Sequence, residues 1–154
     1  MPNETQNYLY ILGDKTEVLR FQNIHTADKD YGLFWDFGVS QRIIGITNQE
    51  RFEKWGTTRA GLLTFIGHKI LIETATTPCQ TWLENIIPKY PDLKFVMYFI
   101  DEYGEQFYGS VVGDKGNIIC SETYETILEK DENKRENEYN TYVEKLLETH
   151  GLTR

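Results

Sequence analysis

Apolar and polar positions change period several times along the chain, and each change predicts an element. Residues 7–12, NYLYIL, are rich in β-formers and stop at the turn signal Gly13-Asp14, which predicts a first strand. Residues 14–22, DKTEVLRFQ, read as a short helix with Asp14 as N-cap and Val18, Leu19 and Phe21 turned inward. Residues 23–50 hold Tyr31, Phe34, Trp35 and Phe37 among Gly and Asp without a clear period, which predicts an irregular, partly packed insertion. Residues 60–66 and 68–75 flank Gly67-His68 and predict an antiparallel hairpin, with Ile70 and Ile72 on one face and Leu71 and Glu73 on the other.

The second half of the chain is clearer. A helix is expected over 78–88, with Thr76 or Thr77 as N-cap, Pro78 at the first position and Trp82, Leu83 and Ile86 as its apolar stripe. Residues 93–100, LKFVMYFI, place Phe95, Met97 and Phe99 on one side and Val96, Tyr98 and Ile100 on the other. Both sides are apolar or aromatic, as in a central strand. Strands at 105–112 and 117–121 are joined by a hairpin turn at 113–117, which opens no helix and so is no phosphate loop. From 122 to 150 the composition is helical, with Tyr139, Tyr142, Val143, Leu146 and Leu147 at helical spacing and Gly151 as stop. Within it, KDENKRENE reads as a solvated run with Lys134 and Glu138 paired one turn apart. The order β-α-(insertion)-β-β-α-β-β-β-α predicts an α+β, ferredoxin-like antiparallel sheet with helices packed on one face, an irregular insertion and a C-terminal helix over about 132–150.

A chain of 154 residues fits a single domain, since domains cluster at about 100–150 residues. Its charge of −8 is unevenly spread. Residues 1–100 carry 10 basic and 11 acidic side chains, whereas residues 101–129 carry 1 and 7. An acidic block without a basic face argues against a duplex-binding protein and suits solubility or docking onto a basic partner. Cys79 and Cys120 have no zinc spacing and read as free thiols of a reducing compartment. The opening MPNETQNY lacks an export signal, and no apolar run approaches the roughly 18 residues of a membrane span, so the host cell cytoplasm is the expected location. Frequent tyrosine and free sheet edges leave a homodimer open.

Several segments together resemble the YubB ferredoxin-like family of small phage- and plasmid-encoded proteins. They are the opening MPN…NYLYILGD, the segment KWGTTRAG at 54–61, and IETATTPCQTWLENIIPKYPDLKFVMYFIDEYGEQFYG at 72–109. The likeness is best over residues 54–112. This chain departs from the family pattern at Lys54, Arg59, Thr76 and Pro78-Cys79, where two family tryptophans are replaced. The resemblance implies a ferredoxin-like fold and a mobile-element origin, and it carries no catalytic activity.

No GxSxG, HExxH or paired HxT/S motif occurs, and His25, His68 and His150 have no ligand spacing, so neither catalytic residue, metal nor cofactor is expected. The compact basic element is KWGTTR. Gly56 permits a tight turn, Thr57 and Thr58 offer hydroxyls, Lys54 and Arg59 offer charge, and Trp55 offers a ring face, with Thr76 nearby at a strand end. That set fits an anionic, nucleotide-type ligand, or simply a structural turn. The first functional expectation is thus a non-enzymatic accessory protein that counteracts host defence by sequestering such a ligand. The second is an acidic inhibitor presenting Asp101, Glu102 and Glu105 to a basic host protein, and the third is a nucleotide-processing enzyme.

Overall fold

The computed structural model describes residues 4–29, 32–37, 47–102, 104, 106–126 and 129–154. Among the described residues, eight strands form one antiparallel sheet: β1 (Glu4–Leu12), β2 (Thr26–Lys29), β3 (Gly32–Trp35), β4 (Ala60–Ile66), β5 (Lys69–Ala75), β6 (Lys94–Asp101), β7 (Phe107–Asp114) and β8 (Asn117–Glu125). Four α-helices accompany them among the described residues: α1 (Lys15–Ile24), α2 (Asn48–Trp55), α3 (Gln80–Ile86) and α4 (Glu132–Thr149). The spatial order is β2-β3-β4-β5-β1-β6-β7-β8. The inner strands β4-β5-β1-β6, crossed by α1 and α3, make a ferredoxin-like βαββαβ unit. The sheet is larger than that unit because β2-β3 extend one edge and β7-β8 the other.

Period decides the two faces. In β1, Leu9 and Ile11 point to the side of α1, α2 and α3, where they meet Phe21, Trp55, Trp82 and Leu83. Phe95, Met97 and Phe99 of β6 join them, as the alternation predicts. Tyr10, Val96, Tyr98 and Val112 point the other way and meet Tyr139, Val143 and Leu147 of α4. Helices on one face therefore describes α1, α2 and α3, while the C-terminal helix covers part of the opposite face.

Five local expectations change, the first being that residues 122–125, read as helical, continue strand β8. The segment 23–50 carries two short strands and the start of α2, because Trp35 and Phe37 are drawn into the core and β3 pairs with β4 through Phe34 and Leu62. Leu19 is exposed, since the face of α1 that meets the sheet is set by Val18 and Phe21. The helix expected from Pro78 begins at Gln80 without a threonine cap. Its first free N–H, that of Cys79, is met instead by the side-chain oxygen of Asn7 at 3.2 Å, across the sheet. Lys134 reaches back to Glu129 at 3.0 Å rather than forward to Glu138, in keeping with the N-terminal lean of helical side chains. Among the described residues, no helix is long and apolar enough to cross a membrane.

Candidate functional site

The segment 54–59 is the end of α2 and the clip that follows it. Thr47 caps the start of α2 by accepting the Glu50 N–H at 3.1 Å, and the helix stops at Gly56, whose φ of 80° is the left-handed conformation that a side chain resists. A Cβ there would also stand 2.9 Å from the Pro78 carbonyl. Trp55 is 3% exposed and stacks on Phe37 at 5.0 Å. Thr57 is fully buried and donates to the Ala75 carbonyl at 2.9 Å. Thr77 donates to the Gly56 carbonyl at 2.6 Å, and Asn85 to the Lys54 carbonyl at 3.2 Å. The segment thereby ties α2 to the end of β5 and the start of α3.

This geometry divides the six-residue ligand set. The indole face and the Thr57 hydroxyl are spent inside the protein, whereas Lys54, Arg59 and Thr76 are exposed and Thr58 is half-buried. A cavity of about 270 Å³ beside Gly56 is lined by Phe52, Pro78, Thr81 and Phe107 and includes none of the six. Thr76 is also held at a φ of 65°, rare for a β-branched residue.

The acidic set divides similarly. Asp101 is 2% exposed, and its carboxylate accepts the backbone N–H groups of Gln106 at 3.1 Å and Phe107 at 3.3 Å, closing the turn between β6 and β7. Glu102 is exposed and accepts the Glu4 N–H at 3.2 Å. Glu105 lies outside the described residues.

A cleft that the sequence reading did not single out lies between the first half of α4 and the nearby end of the sheet. It encloses about 380 Å³ and is lined by Tyr8, Tyr108 and Tyr139, by Gln6 and Asn140, by Glu102, Glu132 and Glu136, and by Arg135 and Arg154. Tyr8 stacks on Tyr98 at 4.9 Å, and Tyr108 meets Tyr139 edge-on at 5.7 Å. Two of the protein's own cations use these rings. The Lys69 ammonium lies 5.2 Å from the centre of the Tyr8 ring, and the Arg154 guanidinium 5.5 Å from that of Tyr139, both within cation–π range. Burial pushes the hydroxyls of Tyr98 and Tyr139 well above the usual tyrosine value, so both stay neutral. Burial also raises the Glu73 carboxyl, and the neighbouring charges of Glu4 and Glu102 raise it further. Carboxylates thus crowd this end of the sheet, which favours an added positive charge and opposes an anion.

The signal for the cleft was present as period: Tyr8, Tyr98 and Tyr108 fall on one strand face, and Tyr139 faces them from α4. Only the strand order brings them together. Fold and site define an α+β antiparallel-sheet protein with a tyrosine-lined, acid-rimmed cleft on its half-covered face. Comparison with protein-family models, curated proteins and solved structures finds no match to this chain.

Proposed function

We propose that this is a non-catalytic accessory protein of a phage or mobile element that counteracts host defence by docking its acidic, tyrosine-lined cleft onto a basic surface of a host protein. The mobile-element setting rests on the family resemblance. The docking chemistry rests on one observation: tyrosine rings already carrying the protein's own cations stand beside the carboxylates of Glu102, Glu132 and Glu136. Rings and carboxylates together attract cationic side chains, and the surrounding charge speeds encounter with a basic partner. Sequestration of an anionic nucleotide around Lys54 and Arg59 has less support, because the ring meant to stack the base is buried.

Calorimetric titration with an arginine-rich peptide, a glutamate-rich peptide and adenosine monophosphate tests the reading. The basic peptide is expected to bind, to weaken as salt rises, and to lose about fivefold or more in affinity with the double variant Glu102→Gln, Glu136→Gln. Silence toward the basic peptide at low salt would sink the docking reading. Nucleotide binding abolished by Arg59→Ala would restore the anionic one.

A further inference from the structure

After α4, residues 151–154 turn back along the helix. The N–H of Gly151, whose φ is 68°, donates to the Glu148 carbonyl at 3.1 Å, and the N–H of Leu152 to the Leu147 carbonyl at 2.8 Å. Together these bonds form a Schellman stop, which reverses the chain direction. Leu152 then packs against the Tyr10–Val143 cluster, and the Thr153 carbonyl accepts the Tyr10 hydroxyl at 2.9 Å. The strap delivers Arg154 into the cleft, over Tyr139 and within 2.7 Å of the Asn140 side-chain oxygen. A helix stop, an apolar anchor and a tyrosine hydrogen bond thus combine to seat one guanidinium.

We propose that the Tyr139–Asn140 seat is a recognition site for an arginine side chain, and that Arg154 fills it as an internal competitor of the basic partner. The inference rests on the docking reading above and adds the group recognised and its control. A planar guanidinium matches a ring face and an amide oxygen at once, which a compact ammonium does less well. An anion-holding role for the two arginines fits poorly. Arg154 already donates to Asn140, and Arg135 donates to the Glu129 carbonyl at 2.7 Å. A phosphate placed between them would also face Glu102, Glu132 and Glu136. Arg154 itself is exposed, so an incoming arginine has one solvent-facing side chain to displace.

The test titrates the full chain and its Arg154→Ala variant with the same arginine-rich peptide, following affinity and the NMR signals of the Tyr139 ring. Arg154 is exposed, so its truncation leaves the core intact. If the seat is closed most of the time, its release tightens peptide binding by about five- to tenfold, and the Tyr139 signals shift on peptide addition. An Arg154→Lys variant is expected to fall between the two. Equal affinity of wild type and Arg154→Ala overturns the competitor while leaving docking in place. Weaker binding by Arg154→Ala overturns it too, by making Arg154 a contact of the partner. Absence of binding by either chain removes the docking reading, and the inference with it.

Discussion

On one face of β1 and β6 the outward positions are Leu9, Ile11, Phe95, Met97 and Phe99. On the other they are Tyr8, Tyr10, Val96, Tyr98 and Ile100. The first set meets three helices and closes into a core that includes Trp35, Trp55 and Trp82. The second meets one helix, which leaves the end of the sheet near Tyr8 and Tyr108 open as a cleft. Hydrocarbon suits a face that is fully covered, whereas tyrosine suits one where a ring must pack while its hydroxyl stays near water. Of the basic element 54–59, Trp55 and Thr57 belong to the sealed side, while Lys54 and Arg59 stay at the surface. The tyrosines belong to the half-covered side, where the cleft opens.

The contrast breaks most visibly in the sealed core. Phe95 is fully buried and lies 5.2 Å from the Phe21 ring. Phe95→Ala is expected to cost about 3–5 kcal/mol in urea unfolding, as large-to-small core changes do. A loss below about 1 kcal/mol would mean that this face is loosely packed and would erase the distinction drawn here.

Much of the fold was legible because period survives in sequence. The strands β1, β4, β5, β6 and β7 and the helix α4 follow from alternation and helical spacing, within a few residues at their ends. What was illegible depends on partners distant in the chain. β2 and β3 have four residues each, too few to show a period, and they are fixed by pairing and by Trp35 entering the core. Gly56 was legible as a turn, but whether Trp55 faced water was not, because the ring that buries it, Phe37, comes from the stretch without a pattern. Asn7 capping α3 across the sheet has no local signature either. The cleft failed for a related reason, since its tyrosines come from β1, β7 and α4 and converge only once the strand order is known.

A smaller test sits inside the sealed face. His25 lies among Phe21, Trp35 and Trp82, and its Nδ1 faces the Asp36 carbonyl at 2.7 Å. A carbonyl can only accept, so Nδ1 carries the proton, and the buried Nε2 has no hydrogen-bond partner among the described residues. Burial holds the imidazole below its usual value of 6.5, against the opposing pull of the Asp36 carbonyl and of the Asp36 charge. The unfolded chain therefore takes up the proton first. The contribution to stability is full above 6.5 and falls as pH drops through that value toward the folded one. Between about pH 7.5 and pH 5.5 the wild type should lose more unfolding free energy than His25→Gln. Parallel losses in the two chains would show that protonation of His25 is not what weakens the sealed face in acid.

The half-covered face supplies the smallest expected effect. Tyr142 of α4 pairs its hydroxyl with Ser110 at 2.6 Å and donates to Glu122 at 2.6 Å, and Glu122 also accepts from Tyr124 at 3.1 Å. Burial raises the Tyr142 hydroxyl, and the hydrogen bond to the Glu122 carboxylate raises it further, so the group stays a neutral donor. Tyr142→Phe keeps the ring on Tyr108 and removes only these polar links, and water can re-solvate the half-buried Glu122. The expected loss is about 1 kcal/mol, several times smaller than for Phe95→Ala. Ser110 is fully buried and would lose the Tyr142 hydroxyl, so the loss is not expected to vanish. A loss as large as that of Phe95→Ala would mean that the hydroxyl network carries this face as hydrocarbon carries the other. The tyrosines would then be structural members, and the cleft beside them would no longer follow from their presence.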